Sequence, residues 1–341
     1  MSQLTNDRKI EHINAILQDA ETDRDARYFD RIKLTHRALP ELDFEKIDPS
    51  IKLLGKSLSF PMLISSMTGG DHELIRTINR NLAEAAERCG VAMAVGSQRV
   101  MFSDDSARSS FDLRSVAPNA LLIGNVGAVQ LNYGFSLEQC QAAVDLLKAD
   151  ALYLHLNPLQ EAIQPEGDRN FENLADQIQQ IVEGLSVPVW LKEVGSGLSA
   201  ADVELGYRAG VRYFDVAGSG GTSWSRIEHH RRDQDDLGLL FQDWGLPTPV
   251  ALDQCQSWQD KSTLIASGGL RDGIDLAESV ILGASLGGFA APLLQPAMQS
   301  ADAVVDVIER IKREYVTALF LLGVPSTTAL KGQRALVIEQ F

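Results

Sequence analysis

At 341 residues the chain has room for one large domain or two ordinary ones, and 45% hydrophobic residues at a mean hydropathy of −0.07 can build a sizeable core. A formal charge of −15 and a pI near 4.8 argue against nucleic acid, whose recognition begins with a basic face, but a few focused cations can still hold a small anion. No membrane span, signal-peptide h-region, disulfide framework or zinc spacing is visible around Cys89, Cys140 and Cys255, so a soluble protein of the reducing cytoplasm is expected, without membrane partners.

Residues 1–60 precede the first strand signal. Within them Arg8, Lys9, Glu11 and His12 fall at spacings that bring Arg8, Glu11 and His12 onto one helix face. From residue 60 onward, short apolar β-favouring runs alternate with longer amphipathic stretches. Strands are predicted over 61–67, 91–96, 120–126, 151–157, 188–193, 212–217, 262–267 and 280–287. Helical patterns lie between them at 72–89, 136–148, 170–184, 199–209, within 249–260, and at 272–279. Ser136 is placed as an N-cap, and Ser199 with Asp202 is spaced as a capping box. A last helix over 301–322 closes the set. Eight strands, each followed by a helix, is the count of an α/β TIM (β/α)8 barrel. The expected organisation is therefore a barrel over 61–341, preceded by an N-terminal extension over 1–60. An open doubly wound sheet would show a GxGxxG turn after its first strand, and Met67-Thr68-Gly69-Gly70 lacks it.

Barrel enzymes work at the C-terminal ends of their strands. The first end carries Ser65-Ser66-Met67-Thr68-Gly69-Gly70, whose glycines permit close approach to a flat ligand. The second carries Gly96-Ser97-Gln98-Arg99, in which Arg99 can grip a phosphate or carboxylate bidentately. Asn125 is an amide on an apolar third strand. The fourth end is the most loaded, with His155, Asn157, Gln160 and Glu161. Alternation puts His155 and Asn157 on one face, and Glu161 is a carboxylate able to take a metal. The fifth strand holds Lys192 in an apolar run, which is costly unless a negative partner or ligand is present. Glycines 218, 220 and 221 after the sixth strand suit an anion or a ring edge. The seventh and eighth ends, Gly268-Gly269-Leu270-Arg271 and Gly287-Gly288-Phe289-Ala290-Ala291, stand where such barrels bind phosphate. A long insert over 225–245 carries Arg226, His229, His230, Arg231, Arg232, Asp233, Asp235 and Asp236. It reads as a lid, a binding loop or a subunit contact, or else as a solvated helix or turn.

Together these strings resemble the type 2, flavin-dependent isopentenyl diphosphate isomerases. The matching motifs are Arg8-Lys9-x-x-His12, Ser66-Met67-Thr68-Gly69-Gly70, Gly96-Ser97-Gln98-Arg99, Asn125-Val126-Gly127, His155-Leu156-Asn157-Pro158-Leu159-Gln160-Glu161, Lys192-Glu193-Val194-Gly195, Gly220-Gly221-Thr222-Ser223-Trp224 and Ser267-Gly268-Gly269-x-Arg271. The resemblance implies an FMN-binding barrel that interconverts isopentenyl and dimethylallyl diphosphate with Mg²⁺, its flavin kept reduced by NADPH or NADH. It further implies FMN contacts at Ser66, Met67, Thr68, Ser97, Asn125, Lys192 and Thr222, and a phosphate seat at Gly269, Leu270, Arg271, Ala290 and Ala291. The extension over 1–60 would contribute to the substrate site: substrate would meet Arg8, Lys9, Ser97, Gln98, Arg99, His155, Asn157 and Gln160, with the metal on Glu161. Gln160, Lys192 and His155 are the implied catalytic groups, Gln160 either relaying a proton or positioning the substrate. A homo-oligomer, tetramer or octamer, is implied as well.

Two other readings compete. A 2-hydroxy acid oxidase or dehydrogenase would share the phosphate loops but needs a histidine base near the sixth strand, where this chain has Gly218-Ser219-Gly220-Gly221-Thr222. A barrel that binds flavin or prenyl diphosphate without turnover would have lost catalytic groups, whereas Gln160, Glu161 and Lys192 are present.

Overall fold

The computed structural model describes residues 2–24, 26, 28–231 and 236–339, with the side chains of residues 2–9 outside that description. The side chains of Arg8 and Lys9, and residues Arg232, Asp233 and Asp235 of the insert, therefore lie outside the described residues. The backbone of residues 8 and 9 belongs to a first helix, α1 (Ser2–Gln18).

After β1 (Lys33–Leu34), two short strands follow as a hairpin, β2 (Ile51–Leu53) and β3 (Lys56–Leu58). Eight parallel strands then close a barrel: β4 (Met62–Ile64), β5 (Ala92–Ala94), β6 (Leu122–Gly127), β7 (Ala151–Leu156), β8 (Val189–Glu193), β9 (Tyr213–Asp215), β10 (Thr263–Ser267) and β11 (Leu286–Phe289). A final β12 (Val337–Glu339) returns to pair with β1, so the two ends of the chain are stitched together. The helices are α2 (Glu73–Cys89), α3 (Leu137–Leu147), α4 (Pro158–Ile163), α5 (Leu174–Gly184), α6 (Ala200–Arg208), α7 (Trp224–His229), α8 (Leu237–Leu240), α9 (Thr248–Gln254), α10 (Gly273–Ile281), α11 (Ala291–Gln299), α12 (Ala301–Leu322) and α13 (Thr327–Leu330).

Capping follows the sequence closely. Ser136 and Ser199 each complete a capping box, with Gln139 and Asp202 reaching back to the cap. Helix α2 ends on Gly90 at φ 63°, which an L side chain would strain. One strand differs from expectation. Residues 280–285 are not its start: Val280 and Ile281 finish α10, and β11 runs from Leu286 to Phe289. Both segments are apolar and buried, so periodicity alone could not separate a helix end from a strand start.

Strand alternation divides the core in two. Met62, Ile64, Met93, Leu122, Leu152, Leu154, Leu191, Phe214, Leu264 and Phe289 face outward into the helical shell. Leu63, Ala92, Ala94, Ile123, Ala151, Tyr153, Trp190, Ile265 and Leu286 fill the barrel interior, and Leu58 of the hairpin, with Ile51, Leu53 and Leu54, closes its lower end. Trp190 stacks on Tyr213 at 4.8 Å between ring centroids. Two residues further along the same interior faces stand Ser65, Asn125, His155, Lys192, Asp215 and Ser267. The lower barrel is thus apolar and its upper layer polar, and the site is built on that layer.

Candidate active site

An open cleft of about 980 Å³, mouth included, sits over the C-terminal ends of the strands. Ser65, Ser66, Met67, Thr68, Lys192, Thr222, Gly269, Leu270, Arg271, Ala290 and Ala291 line it. All the cofactor residues expected from the sequence therefore converge there, except Ser97 and Asn125. From the N-terminal extension, His12, Ile13 and Ile16 of α1 form part of the wall. The buried hydroxyls of Ser65, Ser66 and Thr68 have no hydrogen-bond partner among the described residues, so their hydrogen-bonding capacity is left for a ligand.

The glycine loops work by close backbone contact. Gly268 (φ +94°) lies so near Gly218 that an added Cβ would stand 2.1 Å from its carbonyl oxygen. The loops after β9 and β10 consequently pack backbone to backbone beside the cleft. Arg271 reaches its Asp23 partner through Nη2, while its own N–H donates to Asp275 at 2.8 Å. Arg24, buried at 6% exposure, donates to the carbonyls of Gln242 (2.7 Å), Gly195 (3.1 Å) and Thr222 (3.3 Å). One arginine of the extension thereby fixes three loops around the cleft.

The other expected residues fall into two polar clusters, one around His155 and Asn125 and one around Asn157, Gln160 and Glu161. His155 Nδ1 donates to Asn125 Oδ1 (2.7 Å), which leaves Nε2 as the other ring nitrogen. Asn125 Nδ2 in turn donates to the Val95 carbonyl (3.0 Å). Asn157 Nδ2 donates to Glu161 Oε1 (2.9 Å) and to Gln160 Oε1 (3.2 Å). Gln160 Nε2 donates to Glu228 Oε1 (2.8 Å), so the amide is held at both ends. Gln160 and Trp224 border a small side pocket that shares Val194, Gly195 and Trp224 with the main cleft. Glu161 Oε2 accepts the N–H of Asp168 (2.7 Å), and Asp168 Oδ2 accepts from both Arg99 Nη1 (2.8 Å) and Gln130 Nε2 (2.9 Å).

Ser97 is half-buried at the start of the loop carrying Arg99. Gln98 stands apart from the others. It is wholly buried, accepts the Asn125 N–H at 2.9 Å and donates to the Ala143 carbonyl at 2.9 Å. In this structure it braces the wall and exposes nothing to a ligand.

Several groups escaped sequence reasoning. Glu228 is fully buried, 3.1 Å from His12 Nε2 and 2.7 Å from Arg231 Nη1. Burial pushes its carboxyl up, but hydrogen bonds from His12, Gln160 and Arg231 outweigh that and hold it at about 2. Arg231 also binds Glu11 (2.9 Å) and Glu166 (2.7 Å), and Arg226 binds Asp19 (2.6 Å) and Glu21 (2.6 Å). The described part of the insert's charge run is therefore the clamp between α7 and the N-terminal extension. No local signal marked it, because its partners lie some two hundred positions away. His230 belongs to the same clamp, 2.7 Å from Asp19.

A barrel loaded in this way at its strand ends belongs to the FMN-dependent dehydrogenase class. The profile of the FMN-dependent dehydrogenase family matches residues 2–112 and 153–337. Solved structures share the fold: flavocytochrome b2 with pyruvate bound (TM-score 0.70, 19% identity, 96% of this chain and 82% of that one), and mandelate oxidase (0.65, 19%, 89% and 88%). Within that class, proteins named isopentenyl-diphosphate delta-isomerase are far closer. That of Paracoccus zeaxanthinifaciens is 58% identical over 97% of this chain and 96% of its own length, and that of Hydrogenovibrio crunogenus 55% over 97% of each. The relative from Nostoc sp. is 45% identical over 98% of this chain and 97% of its own. The chain belongs to the isopentenyl-diphosphate delta-isomerase family, and it is an enzyme.

Proposed function

We propose that this enzyme interconverts isopentenyl and dimethylallyl diphosphate, using FMN kept reduced by NADPH or NADH, together with Mg²⁺. The observation that carries this reading is the adjacency of two built features. One is a cleft lined by partnerless hydroxyls, Lys192 and Arg271; the other is the Asn157–Gln160–Glu161 network, with His155 on the same strand end, beside it. The residues fit a flavin. Ser65, Ser66, Thr68 and Thr222 offer hydrogen bonds to a polar ring edge, and Lys192 offers positive charge. Gly269, Leu270, Arg271, Ala290 and Ala291 frame an anionic tail at the start of α11. The residues also fit Mg²⁺ brought by a diphosphate. Among the described residues no cluster of three or more acids, histidines or cysteines could cage a metal, and Mg²⁺ is commonly held by one carboxylate plus substrate phosphates. Glu161 is that carboxylate.

A reduced flavin supplies a protonated ring nitrogen and an electron-rich face, which is what moving a proton across an unactivated alkene requires. The chain's residues bind and orient. Arg99, with Arg8 and Lys9 from α1, would neutralise the diphosphate, each charge-assisted hydrogen bond contributing roughly 1.5–3 kcal/mol. His155 and Asn157 would meet the diphosphate from the fourth strand end, and Ser97 would stand beside it. Gln160 is locked between Asn157 and Glu228, and an amide is no acid at neutral pH, so its role is to hold the substrate in register. Closure of α1 over the cleft, through the His12 and Arg231 contacts, would exclude water. The 2-hydroxy acid oxidase reading needs a histidine base near the sixth strand, whereas His229 and His230 lie outside the cleft lining and the histidine in its wall, His12, comes from α1 and is paired with Glu228. A cytoplasmic homo-oligomer completes the proposal.

The test is anaerobic conversion of isopentenyl diphosphate by protein with FMN and Mg²⁺, with and without dithionite or NADPH. Dimethylallyl diphosphate only in the reduced samples supports the reading. Product without reductant removes the flavin from the chemistry, and no product despite bound FMN overturns the isomerase.

A further inference from the structure

Lys192 and Asp215 stand opposite each other in register on β8 and β9, and alternation turns both into the barrel interior above Trp190 and Tyr213. Lys192 lines the cleft, whereas Asp215 lies wholly buried beneath it. Three neighbours hold the Asp215 carboxylate. Tyr153 donates its hydroxyl to Oδ2 (3.0 Å), Ser267 donates to Oδ1 (2.7 Å), and the Ala217 N–H also donates to Oδ1 (3.3 Å). Burial pushes the Asp215 carboxyl up, and the Lys192 charge together with these three donors opposes that pull and favours its ionised form. The other nearby acid, Glu193, points to the opposite face of β8. Its Oε2 is taken by the N–H groups of Val194 (2.6 Å), Gly195 (2.7 Å), Ser196 and Gly197 (2.9 Å). Among the described residues the Lys192 ammonium has one hydrogen bond, to the Glu193 carbonyl at 2.7 Å, and on its other side His155 of β7 stands in register with it, its Nδ1 bonded to Asn125.

We propose that Asp215 is the counter-charge that keeps Lys192 protonated at the floor of the cleft, and that this pair sets the charge a bound flavin meets. Asp215 is then a positioning residue acting through Lys192. Burial pulls the lysine's pKa down, and Asp215 is the foremost of the two acids opposing that pull, with Glu193 second. Tyr153 is raised well above its ordinary range by burial and by Asp215, so it remains a neutral donor. Reducing a flavin adds negative charge, so uncompensated positive charge at the floor favours the reduced form, and a balanced pair favours it less.

This inference rests on the flavin reading of the cleft, and its test is the midpoint potential of bound FMN, measured on the holoenzyme between about pH 6 and 9. At the low end, Asp215→Asn leaves Lys192 charged and unbalanced, and the midpoint moves positive of wild type. As pH rises, the variant's lysine sheds its proton and the difference collapses, a proton-linked step that wild type lacks. In the Lys192→Met background the buried Asp215 carboxyl, pushed up by burial and without its cation, is neutral, so Asp215→Asn changes no charge there and both effects vanish. Tyr153→Phe, which removes one donor to Asp215 and lies below the cleft, gives a smaller shift in the same direction should Asp215→Asn fail to fold. Coincident midpoints at every pH, or a shift that persists in the Lys192→Met background, overturn the assignment. A wild-type chain that binds no FMN overturns the reading of the cleft instead.

Discussion

Glu228→Gln removes one negative charge from the point where α1, α4 and α7 meet. The carboxyl falls from 4.5 to about 2 because the hydrogen bonds of His12, Gln160 and Arg231 outweigh burial. At about 1.4 kcal/mol per unit, that difference is roughly 3 kcal/mol in favour of the charged form. Because the folded value lies below the unfolded one, this stability is fully present above about pH 4.5 and is lost as pH falls toward 2. Glutamine mimics the protonated acid, and its amide N–H groups face donors already present. The variant is therefore expected to be roughly 3 kcal/mol less stable at pH 7, with the deficit about halved by pH 3. Urea unfolding of both proteins, followed by fluorescence along a pH series, measures this. A deficit that is the same at pH 3 as at pH 7, or no deficit at pH 7, refutes the account of Glu228 as an ionised hub. The amide leaves one acceptor oxygen for Gln160, His12 and Arg231 to share, so Gln160 is held less firmly and isomerase turnover should fall even where the protein is fully folded.

Glu278, buried on α10 beside Asp275, Asp272 and Asp30, is pushed up to about 9, chiefly by burial and then by those acids. Its folded value lies above the unfolded one, so wild-type stability declines from about pH 4.5 to pH 9. Glu278→Gln should be roughly 2–3 kcal/mol more stable than wild type at pH 7 and equal to it at pH 4, read by thermal or urea unfolding. Asp168 holds Arg99 and Gln130 on one oxygen, so Asp168→Asn frees the arginine. If Arg99 binds the diphosphate, KM for isopentenyl diphosphate should rise about tenfold with kcat little changed, the cost of one weakened charge-assisted contact. Steady-state kinetics at saturating Mg²⁺ decide it, and an unchanged KM would remove Asp168 from the site.

The sequence by itself determined the repeated strand–helix rhythm, because hydrophobic period and capping act within a few residues. Ser136, Ser199 and Gly90 end or begin their helices where the local chemistry demands. It also determined which strand ends were loaded, since polar groups closing an apolar strand stand out in one dimension. Lys192 was legible as a charge needing a partner. That the partner is Asp215, one strand over, was decided by barrel closure, which sets the two in register. The same holds for Glu228, whose neighbours His12, Gln160 and Arg231 come from three separate segments. For Gln98 the resemblance implies a substrate contact, and the fold packs its side chain into the wall against Asn125 and Ala143. The start of β11 was lost because Val280 and Leu286 are both apolar and buried, and only the ring of strands distinguishes helix from barrel there. Local propensity reads along the chain, whereas charge balance and hydrogen-bond satisfaction are settled across it, by whichever strands and loops the closed barrel brings together.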